Sequence, residues 1–148
     1  MGHCIRAIIG THRIIQKLGN DWGNAKEIEL PQGYGMIFLT DEFSDDVTEL
    51  YGISDELYCH ELVHFTAAIA QLLQQYTHNT KLAYVETDYF GGTGTQGGVL
   101  YENGQISIVP RSGEGTINIL LRELGVSCEP NKDEFDSLNL GIYRRMDE

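Results

Sequence analysis

The tetrapeptide Glu102-Asn103-Gly104-Gln105 constrains the fold of this chain more than any other feature. Asn-Gly between two apolar runs favours a tight turn with positive φ at both residues, and such turns join antiparallel strands. The flanks fit: 98–101 (GVLY) leads into the turn and 106–110 (ISIVP) leaves it. Upstream, 81–90 (KLAYVETDYF) is rich in β-branched and aromatic residues and reads as a third strand. Between them lies GGTGTQGG (91–98), read as a loop whose glycines permit tight bends or bulges. Within it Gln96 is the one long polar side chain, able to hydrogen-bond across the loop.

The rest of the chain supplies further strands at 4–9, 26–30 and 36–40 and helices at 11–18, 54–76 and 117–124. Thr11 and Ser54 are natural N-caps, Gly19 and Gly125 natural stops, and 41–52 reads as an acidic connection with one helical turn. Strands and helices mostly do not alternate. The expected fold is therefore α+β: one domain over 1–148, with a mostly antiparallel sheet of five or six strands and two or three helices packed on it. The length of 148 residues suits a single domain, and 41% hydrophobic with 22% charged residues excludes wholesale disorder or a fibre. No run is long and apolar enough for a membrane span or an export signal. Cys4, Cys59 and Cys128 are odd in number and widely spaced, which points to reduced thiols and a cytoplasmic location.

Charge is distributed unevenly. The net charge is -12, and the 54 residues from 27 to 80 contain no Lys or Arg. Ten acids lie in that stretch, among them Asp41, Glu42, Asp45, Asp46 and Glu49. Such a chain repels phosphate backbones, so nucleic acid is not the expected partner. The acidic stretch is instead read as a binding surface for a basic protein, steered by its field. DEFSDD lacks the ligand spacing of a calcium loop.

One motif proposes chemistry. His60-Glu61-Leu62-Val63-His64 matches HExxH. On a helix, two histidines four residues apart can grip one zinc ion, and the Glu can act as general base on a metal-bound water. The expected helix would place Leu62, Phe65, Ile69, Leu72, Leu73 and Tyr76 on one apolar stripe, with His60 and His64 opposite. No third ligand follows at the spacing of the longer zinc motifs, since Ala67 and Ala70 stand there. A zinc hydrolase with Glu61 as base is accordingly the alternative, and no cofactor is the first reading. Strand periodicity also puts Glu86 and Asp88 on one face, where paired carboxylates can serve as acid and base or hold a cation.

Three blocks, YVETDYFGGTGTQGG (84–98), GTINILLRELGV (115–126) and DEFDSLNLGIYR (133–144), together resemble a family of small uncharacterised bacterial proteins. These carry a YFGGxGxQ loop and a closing DEFDxxxLGxYR motif. LPQGYGMIFLTD (30–41) is similar to their QGxxxxPLTD-like element, with Phe38 and Leu39 where Pro and Leu are common. The resemblance implies no established reaction. It marks Phe90, Gly91, Gly92, Gly94 and Gln96, with Asp133, Glu134, Phe135, Asp136 and Arg144, as the residues of interest. On physical grounds the DEFD turn is expected to pack near the glycine loop, through charge pairs with Arg144 or Arg111. By analogy of size and charge, such proteins look like immunity proteins that neutralise bacterial toxins.

Overall fold

A computed structural model describes residues 2–53, 56–90 and 93–146. The Asn103-Gly104 turn forms as expected, with φ of 53° and 75° at its two residues. It joins β5 (Thr93–Glu102) to β6 (Gln105–Ser112), and β5 pairs antiparallel with β4 (Lys81–Phe90). The turn is also docked on its neighbours. Gly104 N donates to Thr77 Oγ1 at 3.0 Å, and Asn79 N donates to Asn103 Oδ1 at 2.9 Å.

These three strands are half of a six-stranded sheet. The other half comprises β1 (His3–Thr11), β2 (Glu27–Glu29) and β3 (Tyr34–Phe38), in the order β2-β3-β1-β4-β5-β6. Every pair is antiparallel. The fold is thus α+β, as the sequence predicts, with helices on both faces of one sheet.

Period-two alternation divides the strands between two cores. On one face Ile8, Ile37, Leu82, Tyr84, Val99 and Tyr101 pack against α1 (His12–Asp21), α2 (Asp41–Tyr51) and α3 (Ala67–Tyr76). On the other, Ile5, Ile9, Met36, Val85 and Leu100 meet α4 (Thr116–Leu124) and the segment after α5 (Glu134–Ser137), through Leu138 and Leu140.

Four regions depart from the sequence reading. α1 passes the expected Gly19 stop and runs on to Asp21. The acidic connection is the full helix α2: Thr40 Oγ1 accepts from Phe43 N, Asp41 and Glu42 occupy the first turn, and Gly52 ends it at φ 63°. Phe43 and Val47, four residues apart, anchor it. The helix expected over 54–76 exists only as α3, which starts after Thr66, whose Oγ1 accepts from Ile69 N. The Ser54 cap lies outside the described residues. Finally, most of the glycine-rich segment is strand. Gly97 and Gly98 sit within β5 because other elements press on it: a Cβ on Gly97 would meet the Leu62 side chain, and one on Gly98 would meet Leu120 and the Tyr84 carbonyl.

Candidate functional site

The HELVH motif lies in a closed loop ahead of α3. Leu57 and Thr66 form an antiparallel bridge, and Tyr58 N donates to Phe65 O at 2.8 Å. Between them Leu62 and Phe65 point into the core, while His60, Glu61, Val63 and His64 are exposed. Phe65 packs on Tyr84 with ring centroids 4.7 Å apart.

Glu86 secures this loop. Its carboxylate, nearly buried, accepts from Val63 N (2.7 Å), His64 N (3.0 Å) and Tyr84 Oη (2.7 Å). Three bonds satisfy a charge that would otherwise be costly to bury. Burial, reinforced by this neighbouring carboxylate, pushes the Tyr84 phenol well above its ordinary value. Glu86 is thus a tether rather than half of a carboxylate pair, and Asp88 is exposed further along the strand. The zinc scheme drew its geometry from a helix, and this segment is not helical. Among the described residues, no three His, Cys, Asp or Glu side chains gather as a metal site.

Half of the acids in the acidic stretch lie on α2. Asp41, Glu42, Asp45 and Glu49 are exposed on α2, and Asp46 is half-buried, accepting from Asn24 Nδ2 at 2.7 Å. Arg6 reaches Asp41 at 3.3 Å. In the same part of the chain, Leu50, Leu57, Tyr58 and Val63 expose 69%, 57%, 44% and 60% of their surface. These are large apolar groups that a free-standing surface usually limits.

A second site lies on the opposite face. A cavity of about 270 Å³ opens among Tyr89, Gln96, Ile117, Asn118, Asp133 and Phe135. The β4–β5 register brings Thr87 opposite Gln96. Gln96 then joins strand to helix: its Nε2 donates to Tyr89 Oη and its Oε1 accepts from Ile117 N, both at 2.9 Å. Asn118 and Asp133 join helix to helix. Asn118 Nδ2 donates to Asp133 Oδ2 (3.0 Å), Asn118 Oδ1 accepts from Phe135 N (2.9 Å), and Asp133 Oδ1 accepts from Asp136 N (2.8 Å) to cap α5. His3 lines the floor, with Nδ1 on Thr87 Oγ1 (2.7 Å) and Nε2 donating to the Leu140 carbonyl (3.0 Å).

Gln96 bonds outward from its segment, to Tyr89 of β4 and Ile117 of α4, rather than across a loop, and it lines one cavity with Asp133 of the DEFD turn. One ion pair beside that turn was not among those expected. Buried Glu134 pairs with Arg122 at 3.0 Å, which holds its carboxyl below the ordinary value. The Arg144 carbonyl accepts from Cys4 N at 2.8 Å. Asp136 is exposed on α5, and Phe90 is exposed at the end of β4. Gly94 is placed where a Cβ would collide with the Asp88 carbonyl, so this position requires glycine. Gly91 and Gly92 lie outside the described residues. Sequence reasoning missed His3, Thr87, Tyr89 and Asn118. For Thr87 and Tyr89 the signal was present, since strand alternation places them on the face opposite Glu86 and Asp88.

A scan of protein-family models and searches of curated proteins and of solved structures found no match to this chain.

Proposed function

We propose that this protein is a non-enzymatic binding module that docks a basic protein partner through α2 and the adjoining 56–64 loop, in the manner of an immunity-type inhibitor. The observation that supports this reading most is the outward display of α2. Glu42, Asp45 and Glu49 recur at three- and four-residue spacing on its solvent face, in a stretch without a single Lys or Arg. A basic partner approaching this face gains field attraction at encounter. The exposed Leu50, Leu57, Tyr58 and Val63 supply apolar surface that such a partner would cover.

The test is parallel capture from a native lysate by the wild-type protein and by the triple variant Glu42→Lys, Asp45→Lys, Glu49→Lys, at low and high salt. The expected result is a basic protein held by the wild type at low salt, released at high salt and not held by the variant. Equal retention by both, or no basic protein retained by the wild type, overturns the reading.

A further inference from the structure

The cavity beside Gln96 has a polarity that selects its ligand. Two helix N-termini border it, and such ends ordinarily favour anions. Here several of the amides that would hold an anion are already occupied. Ile117 N is taken by Gln96 Oε1, Phe135 N by Asn118 Oδ1 and Asp136 N by Asp133 Oδ1. The Gln96, Asn118 and Asp133 oxygens each keep a second lone pair after accepting one bond, beside the donors left in the Tyr89 hydroxyl and in the second N–H of the Gln96 and Asn118 amides. The formal charge on this lining is the Asp133 carboxylate, within a chain of net charge -12. Both ring nitrogens of His3 are engaged, with Thr87 and Leu140. Ile117 and the rings of Tyr89 and Phe135 provide apolar and aromatic wall, and aromatic faces attract cations. At about 270 Å³ the space falls just below the usual range for small-molecule sites.

We infer that this cavity binds a primary ammonium group on a short apolar chain, with the ammonium at Asp133, Asn118 and Gln96 and the chain against Ile117 and Phe135. The same chemistry is offered by a free small amine and by a lysine side chain. The site lies on the opposite face of the sheet from α2, so it stands or falls independently of the docking surface.

The experiment is a titration of the intact protein, followed by amide chemical shifts in NMR, with n-butylammonium, 1-butanol, butyrate and a capped lysine tripeptide as probes. Butylammonium is expected to shift the amides of Gln96, Asn118 and Phe135 saturably. Butanol and butyrate are expected to leave them in place. Saturation by butylammonium alone assigns the site to a free amine, and saturation by the tripeptide as well assigns it to lysine. Asn and Ser are good N-caps, so Asp133→Asn and Asp133→Ser keep the α5 cap while removing the charge. Each should weaken butylammonium about tenfold. The triple α2 variant should bind it like the wild type. Binding of butyrate or butanol as tight as that of butylammonium, no saturable shift, or undiminished binding in both Asp133 variants overturns the inference.

Discussion

The two faces of the sheet each hold a structural carboxylate, buried Glu86 on one and exposed Asp133 on the other, and use them in opposite ways. On the α1–α3 face, Glu86 sits under a loop, spends its acceptors on two backbone amides and a phenol, and seals the surface. On the α4 face, Asp133 caps a short helix, takes one bond from Asn118 and borders open space. Aromatic packing follows the same division. Phe65 is buried against Tyr84, with Tyr58 and Tyr101 also close, whereas Phe135 is half-buried beside the cavity and meets only the tilted ring of His3 among the ring contacts described. Polar groups in this fold either finish a wall or furnish a recess, and which they do depends on whether a loop lies over them.

The largest test of that contrast is truncation of the two phenylalanines. Phe65→Ala should cost about 3–5 kcal/mol of unfolding free energy, the usual cost of emptying a filled aromatic site. Phe135→Ala should cost about 1 kcal/mol, near the centre of the distribution for single substitutions. Equal losses in chemical denaturation would erase the distinction between sealed and open faces.

Removing the tether comes next. Glu86→Gln should destabilise by about 1–3 kcal/mol, since it takes a charged acceptor from two amides. It should also speed hydrogen exchange at Val63 and His64 more than at the strand amides of β4. Uniform acceleration across β4 would mean that Glu86 supports the sheet rather than the loop.

Gly97→Ala and Gly98→Ala probe the two faces from adjacent positions. The new methyl on Gly98 meets the Tyr84 backbone carbonyl as well as Leu120, so about 1–3 kcal/mol should be lost. On Gly97 it meets the end of Leu62 at 2.7 Å and the Arg111 carbonyl at 3.0 Å, and the mobile side-chain end should make the loss smaller. The reverse order would place the rigid wall on the loop side.

The smallest expected effect is a pH dependence that distinguishes the faces by sign. Glu134, lowered chiefly by its bond to Arg122, adds stability that is full above its ordinary value of 4.5 and fades as pH falls through its lowered value. Tyr84, raised by burial, adds stability that is full below its ordinary value of 10 and fades as pH rises toward its folded value. Glu134→Gln should therefore flatten the acid limb of a thermal-stability profile, and Tyr84→Phe the alkaline limb. A variant that alters both limbs equally would contradict this assignment.

The legible parts of the fold were those written in local geometry. The Asn103-Gly104 turn specifies its own φ angles, and β4 alternation separates Leu82 and Tyr84 from Ala83 and Val85. The α4 stripe and its Gly125 stop likewise carry their own signal, with φ of 109° at that glycine. Misreadings came where tertiary contacts imitate or override local pattern. Leu62 and Phe65 continue the apolar spacing of α3, yet they reach the core from a loop closed by the Leu57–Thr66 bridge and tethered by Glu86, more than twenty residues away. Acid-rich α2 offered two inward residues and a Thr cap, a faint signal beside its charges. The glycines of β5 suggested a loop because the pressure from Leu62 and Leu120 that demands them is absent from the local sequence. At the cavity, Gln96 and Asp133 stand out in the sequence, but that they line one space depends on how α4 is laid across β5.

The position of β1 bears on how the chain acquires its fold during synthesis. Its neighbours are β3 and β4, and its first residues are also held by the far tail, Cys4 bridging Arg145 and Arg6 N donating to Met146 Sδ at 3.4 Å. On a ribosome, this central strand emerges before both of its neighbours and must wait about 70 residues for β4, exposing Ile5, Ile8 and Ile9 in the meantime. The acidic α2 is translated within that interval. Its charge gives the nascent chain a soluble segment during the period when the apolar centre of the sheet is bare.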